Sequence, residues 1–343
     1  MFDINSLIRK NIHELVPYSS AREEFSGEAN IWLDANENPF DTDLNRYPDP
    51  YQSKLKKAIA KIKGVETNQI FVGNGSDEAI DLLFRAFCEP KEDKAFIFPP
   101  TYGMYQVSAK INNVEIVKLP LNNDFELPDI GDIASKTNAK GVLFICSPNN
   151  PTGNIFSLKS IQKIAKQFSG LVVVDEAYID FTDSKSAISL LSMTSNIVVL
   201  QTMSKAYGLA GLRLGMAFAH PEIIAVLNKI KPPYNVNTLS QVKGLEMLQN
   251  SEMVKRQITQ IKAQREMLIA VLKEIKIVKK VFPTEANFIL ALFENAETVF
   301  TALQKKGIII RNRTSQIKDA LRITVGTPTQ NEILLNTLKA LQK

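Results

Sequence analysis

Histidine and cysteine are nearly missing from this chain, with two of each among 343 residues. Cys88 and Cys146 are too few for a disulfide framework or a tetrahedral thiolate site and read as buried free thiols. His13 and His220 stand apart from every motif described below, which excludes a Ser-His-Asp triad and a multi-histidine metal site. Acid–base chemistry therefore falls to Lys, Tyr, Asp or Glu. Long apolar runs are missing too: no window approaches the roughly 18 residues that a membrane-spanning helix needs. The segment Met1 to Glu24 carries Asp3, Glu14, Glu23 and Glu24 and has no apolar core before a small-residue cleavage site, unlike a signal or transit peptide. A cytoplasmic protein with no membrane partner is expected. Low-complexity tracts are absent, and 45% hydrophobic with 22% charged residues is ordinary for a globular chain. The net charge of +5 suits anionic small ligands as well as nucleic acid, so it does not choose between them.

What is present is an alternation of helical periods with short β-branched runs from about residue 50 onward, the pattern of βα units around a mostly parallel sheet. Helices are predicted at 52–62 and 77–87, and strands at 95–98, 115–119, 141–146, 171–175, 197–201 and 214–219. A helical stretch over 239–275 leads to a second set of strands at 277–282, 287–292, 307–311 and 321–325, with helices at 296–305 and 330–341. The fold class is α/β. Three parts are expected: an N-terminal arm over 1–40, a large domain over 41–250 and a smaller α+β C-terminal domain over 251–343. No internal repeat is found, and the first forty residues hold neither a two-helix pattern nor a basic run for binding nucleic acid.

The chemistry sits at predicted strand ends, the edge of an open α/β sheet where ligands bind. Asp175 ends the run Val172-Val173-Val174, and Lys205 lies in Thr202-Met203-Ser204-Lys205-Ala206-Tyr207-Gly208 just after another apolar strand. Pyridoxal 5′-phosphate (PLP) needs such a pair, an amine for covalent attachment and a carboxylate for its ring nitrogen, together with an anion cradle. Gly73-Asn74-Gly75-Ser76-Asp77-Glu78 opens the helix after it and can supply backbone N–H groups to a phosphate. The same residues also read as an ordinary N-cap by Ser76 with acidic first-turn residues. The third glycine of a dinucleotide fingerprint is replaced by Glu78. Arg213, across a glycine-containing turn from Lys205, complements that phosphate, and the Ser204 and Thr202 hydroxyls are further expected donors. In the apolar setting of Leu212, Leu214 and Met216 to Phe218, an unpartnered Arg213 is costly, which favours a bound anion. Tyr102 follows one strand and can stack on a pyridine face. Asn150, in Ser147-Pro148-Asn149-Asn150-Pro151-Thr152-Gly153, and Tyr178 can hold a ring hydroxyl, although the first run is also good turn chemistry.

Taken with Asp175-Glu176-Ala177-Tyr178 and Ser204-Lys205-Ala206-Tyr207-Gly208-Leu209-Ala210-Gly211-Leu212-Arg213-Leu214-Gly215, these motifs resemble the fold-type I PLP-dependent aminotransferases. More narrowly, Leu33-Asp34-Ala35-Asn36-Glu37-Asn38-Pro39, Arg46-Tyr47-Pro48-Asp49, Gly73 to Glu78, Lys231-Pro232-Pro233-Tyr234-Asn235-Val236, Ala286-Asn287-Phe288 and Leu321-Arg322-Ile323-Thr324-Val325-Gly326-Thr327 resemble its histidinol-phosphate branch. The resemblance spans residues 33 to 327. It implies that Lys205 carries the cofactor, Asp175 pairs with the ring nitrogen, Tyr178 and Asn150 hold the ring oxygen, and Tyr102 stacks. Ser76, Asp77, Ser204 and Arg213 surround the phosphate, and Tyr47 reaches it from the partner subunit of a homodimer. Arg322 and Arg311 grip a phosphorylated amine or the carboxylates of glutamate and 2-oxoglutarate, with Tyr18 and Asn36 as further substrate contacts. Arg313 and Lys318 leave open which other cations face the ligand. The alternatives on the same scaffold are an aromatic amino-acid aminotransferase, a threonine-phosphate decarboxylase and a ligand-binding regulator.

Overall fold

A computed structural model of the protein describes residues 3–18, 30–129, 131, 133 and 140–341. Seven strands form the larger sheet: β1 (Ile70–Asn74), β2 (Lys94–Ile97), β3 (Glu115–Lys118), β4 (Gly141–Cys146), β5 (Leu171–Asp175), β6 (Ile197–Thr202) and β7 (Leu214–Ala219), in the order β1-β7-β6-β5-β4-β2-β3. β2 to β6 pair in parallel, whereas β7 runs antiparallel to both β6 and β1. Every residue of β4, β5, β6 and β7 is buried, as continuous apolar strands covered on both faces must be. Helices Ser76–Phe87, Met104–Ile111 and Pro221–Ile230 cover one face, and Ser53–Lys63 and Leu158–Gln167 cover the other. A second, antiparallel sheet has the order β10-β11-β9-β8, built from β8 (Val278–Val281), β9 (Phe288–Phe293), β10 (Arg311–Asn312) and β11 (Ala320–Thr324). Its core packs against helices Ser251–Lys273, Ala296–Lys305 and Pro328–Leu341.

The α/β architecture around a mostly parallel sheet agrees with the expectation, and β4, β5 and β7 have the predicted bounds. Three differences have local causes. β1 was not foreseen, because Ile70-Phe71-Val72-Gly73-Asn74 is short and runs into the glycine loop; it becomes a strand by pairing with β7, Gly73 opposite Gly215. The helical stretch over 239–275 divides at Asn250 into Thr238–Gln249 and Ser251–Lys273. The strand expected over 307–311 shrinks to Arg311–Asn312. The helices Met104–Ile111, Leu158–Gln167 and Pro221–Ile230 were not individually predicted.

The sheets meet through a small apolar seam in which Tyr178, Phe181 and Ala206 contact Ala286 and Phe288. Arg265, 5% exposed on the long helix, donates to the carbonyls of Phe181 and Ala286 at 3.3 and 3.2 Å and so ties both sides together. Beyond Asp175, the Glu176 carboxylate accepts from Ser186 Oγ at 2.5 Å, Ala187 N at 2.6 Å and Gln201 Nε2 at 2.9 Å. This fastens the following loop to β5 and β6.

Burial pushes the Glu176 carboxyl up to about 7 despite those donors. Raised above its unfolded value, this group contributes stability that is present below the usual carboxylate range and lost as pH rises through about 7. Glu176→Gln should remove that slope, because Gln201 Oε1 is buried without a partner and its amide can turn to suit a neutral neighbour. The expected outcome is that wild-type Tm falls relative to the variant's between about pH 5 and 8 in paired thermal melts; a constant difference contradicts it.

Candidate active site

Parallel pairing of β4, β5 and β6 brings their carboxyl ends side by side, with Cys146 opposite Asp175 and Asp175 opposite Leu200. At this edge lies a cavity of about 230 Å³ lined by Gly75, Ser76, Asp77, Tyr102, Cys146, Asn150, Asp175, Ala177, Tyr178, Thr202, Ser204, Lys205, Ala210 and Arg213. Ten of the predicted residues, from six separate stretches of chain, thus share one wall.

Its anion end is the start of the helix Ser76–Phe87. The cap position belongs to Gly75, at φ +76°, and no side chain caps the helix, so the reading of Ser76 as an ordinary N-cap does not hold. The first-turn N–H groups and the positive end of the helix dipole are left facing the cavity. Arg213 Nη2 lies 3.4 Å from Asp77 Oδ2, and Gly75 N donates to the Arg213 carbonyl at 2.6 Å. The Arg213 side chain is 51% exposed, which corrects the expectation that its apolar sequence neighbours bury it. Thr202 also differs. Its hydroxyl donates to the Leu214 carbonyl at 3.1 Å and accepts from Ser204 N, so it braces the loop and has no proton left for a phosphate.

Across the cavity, Asp175 is 3% exposed and accepts from Tyr105 Oη at 2.6 Å and Ala177 N at 3.1 Å. Burial pushes its carboxyl up, while the Tyr105 and Ala177 donors and the Lys205 ammonium pull it down. Tyr102 donates to Asp77 at 3.2 Å and meets Tyr105 edge-on. Lys205 makes no hydrogen bond among the described residues, and its Nζ stands 5.7 Å from the centre of the Tyr178 ring. Its surroundings lower its pKa, through burial first and then the Arg322 guanidinium, with a smaller contribution from Arg213. Lys205 is an exposed residue that lines the cavity.

Arg322 donates to Asn150 Oδ1 and lies over the Phe288 ring at 5.1 Å, with its Nε buried and unpartnered. Arg311 stands directly opposite it across the β10–β11 pair. Arg313 joins them: burial, then Arg322 and Arg311, bring its pKa down to about 10, and its Nε is likewise buried without a partner. Three guanidiniums gathered without a described carboxylate beside them repel one another, and an anion resolves that cost. Four predicted residues lie elsewhere. Tyr47 stacks on Tyr234 at 4.4 Å and shares a separate cleft with Asn36; Tyr18 is 70% exposed and lines neither cleft; Arg311 is exposed on its edge strand. Tyr105 was missed, because a tyrosine three residues after Tyr102 on the opening turn of a helix reads as ordinary core.

The residues fit PLP: an uncapped helix start and an arginine for its phosphate, a buried carboxylate for its ring nitrogen, and a lysine amine that makes no hydrogen bond among the described residues. The chain belongs to the class I and II aminotransferases, the family it matches over residues 29–338. Among its relatives, the histidinol-phosphate aminotransferases of Parabacteroides distasonis and Flavobacterium johnsoniae are each 51% identical, with 99% of both chains aligned. The crystal structure of the histidinol-phosphate aminotransferase from Clostridium acetobutylicum superposes with a TM-score of 0.81 at 27% identity, covering 88% of this chain and 91% of that one.

Gly215 sits against this cradle so closely that a Cβ would collide with Ser76 N and the Gly75 carbonyl carbon. Gly215→Ala should therefore push the phosphate loop off β7. We expect a clear drop in Tm and, in protein that still folds, at least ~10-fold weaker retention of PLP by equilibrium dialysis, a loss of about 1.4 kcal/mol; unchanged retention is the contrary result.

Proposed function

We propose that this protein is a PLP-dependent transaminase that moves the amino group of L-histidinol phosphate to 2-oxoglutarate, giving imidazole acetol phosphate and L-glutamate in L-histidine biosynthesis. The observation that carries the reading is the guanidinium cluster of Arg322, Arg311 and Arg313, the first of which acts on a lysine amine that makes no hydrogen bond among the described residues. A doubly charged phosphate matches such a cluster better than an uncharged aromatic side chain does. Full-length relatives at 51% identity carry the same activity in their names, which supports it over an aromatic amino-acid aminotransferase or a threonine-phosphate decarboxylase.

PLP, when bound, supplies an electron sink for the pair released as a bond at the donor's α-carbon breaks. In this reading Lys205 both anchors the cofactor and moves the proton at that carbon, which requires a neutral amine. Burial and Arg322 favour the neutral form. Asp175 holds a proton at the ring nitrogen, Asn150 and Tyr178 bind the ring oxygen, and Tyr102 covers a ring face. The helix start at Ser76 and Asp77, with Ser204 and Arg213, binds the cofactor phosphate. Arg322, with Arg311 and Arg313, binds the substrate phosphate and then, in the second half-reaction, the carboxylates of the acceptor. Residues 41–250 form the cofactor-binding part, 251–343 the substrate-gripping part, and Tyr18 and Asn36 close over the ligand.

The reading includes a homodimer. Ile31, Leu33, Phe40, Leu44, Leu239 and Val242 are all more than 40% exposed, a large apolar area near Tyr47. A second copy seated there buries it and delivers Tyr47 to the partner's phosphate site. No helix among the described residues is long and apolar enough to cross a membrane. We place the protein in the cytoplasm.

Two measurements test this. Histidinol phosphate should exceed histidinol by on the order of 10² in kcat/KM, since charge-assisted bonds are worth roughly 1.5 to 3 kcal/mol each, and Arg322→Ala should erase most of that preference. Phenylalanine or tyrosine as the better donor moves the protein to another aminotransferase branch, and carbon dioxide release from threonine phosphate removes the transamination reading. For the dimer, inactive Lys205→Ala and inactive Tyr47→Ala should regain part of the activity after subunit exchange, because one site of each mixed dimer keeps both residues. A fully active monomer in sedimentation is incompatible with sharing.

A further inference from the structure

We infer that Tyr105 is a positioning residue that orients the Asp175 carboxylate and keeps it ionised toward the cofactor's ring nitrogen. This rests on the transaminase reading above and adds to it a group that does not line the cavity. Tyr105 is fully buried, so its hydroxyl has no water to bond and Asp175 no water to replace it. The Oη–Oδ2 distance is 2.6 Å, and Ala177 N holds the other oxygen at 3.1 Å. Both carboxylate oxygens are thereby fixed in plane, each with an acceptor site to spare. The ring that carries the donor cannot swing away: it stacks on Phe144 at 4.5 Å and 14°, and its neighbour Tyr102 meets it edge-on at 5.5 Å.

Tyr105 is one of three groups around Asp175 that favour its charge against desolvation. Asp77 repels its charge, Lys205 attracts it, the Cys146 thiol opposite is held neutral by burial, and desolvation favours the uncharged acid. Among the groups that favour the anion, the Tyr105 hydroxyl ranks first, ahead of Ala177 N–H and Lys205. A neutral Asp175 holds a proton on a pyridine nitrogen far less well than a carboxylate does. The same side chain also backs Tyr102, so one tyrosine sets both the face-stacking ring and the ring-nitrogen partner.

The test uses the holoenzyme loaded with PLP labelled with ¹⁵N at the ring nitrogen. Tyr105→Phe removes one oxygen and keeps the stack on Phe144. We expect it to retain PLP within about threefold, because the phosphate cradle is untouched, while the ¹⁵N resonance moves from the protonated position toward that of a neutral pyridine. Turnover should fall about 10- to 100-fold with little change in donor KM, the size expected for losing one hydrogen bond to a charged group. 3-Fluorotyrosine placed at position 105 has nearly the same shape and a stronger donor that draws charge from the carboxylate, so the ring nitrogen should lose its proton at lower pH than in the wild type. It serves as the test should Tyr105→Phe not fold. An unchanged ¹⁵N resonance in Tyr105→Phe, or no effect of the fluorotyrosine on the nitrogen's titration, overturns the inference even where turnover drops, since packing alone would then account for the loss. A wild-type protein that takes up no PLP overturns the transaminase reading itself, and this inference with it.

Discussion

A carboxylate buried at the end of β5 is the constraint around which the site is organised. Asp175 is 3% exposed, and desolvation works against its charge. An unpaired ion there would be expensive, so its neighbours are arranged to hold it. Tyr105 comes from the helix after β2, Ala177 from the turn after β5 and Lys205 from the loop after β6. These strands run parallel within one sheet, and their shared direction brings three loops to one carboxylate. Glu176, the next residue, points to a different set of donors and performs the same service for the loop behind it.

The opposite charge is arranged from the second sheet. Arg322 reaches back to Asn150 from β11, with Phe288 of β9 under its guanidinium. Arg265 and the Tyr178–Phe288 contact hold the two sheets in register so that this reach is possible. Arg322 of one sheet and Asp175 of the other thus both act on Lys205, which makes no hydrogen bond among the described residues. An amine between a guanidinium and a carboxylate has its protonation set by both, and the cavity's chemistry depends on the seam as much as on either sheet.

Much of this was legible in the chain. Continuous apolar runs of four or five residues before Asp175, Cys146 and Gln201 mark buried strands, because only strands covered on both faces are apolar throughout. The motif positions at their ends then had to meet at one edge, and ten of them line one cavity. Tyr105 was not legible in the same way. A tyrosine at helical spacing after another aromatic is ordinary core, and nothing local distinguishes one whose hydroxyl meets a carboxylate seventy residues away. Thr202 and Arg213 were read by residue type, a hydroxyl as a donor and an arginine as buried by its neighbours. The backbone decided otherwise: β7 returns antiparallel and presents the Leu214 carbonyl to Thr202, while Arg213, in a left-handed conformation at φ +54°, keeps a half-exposed side chain beside Asp77 at the cavity wall.

The sequence alone therefore determined the class of fold, the edge of the sheet where chemistry happens and most of the residues there, since strand pattern and chain direction are local properties that add up without knowledge of packing. Tertiary structure alone decided how those residues are connected. Whether Arg213 or Arg322 governs the Lys205 amine, whether Arg313 joins the guanidinium cluster and which hydroxyl holds Asp175 depend on distances between segments far apart in the chain. Charge interactions and hydrogen bonds are steep functions of such distances, and a sequence states none of them.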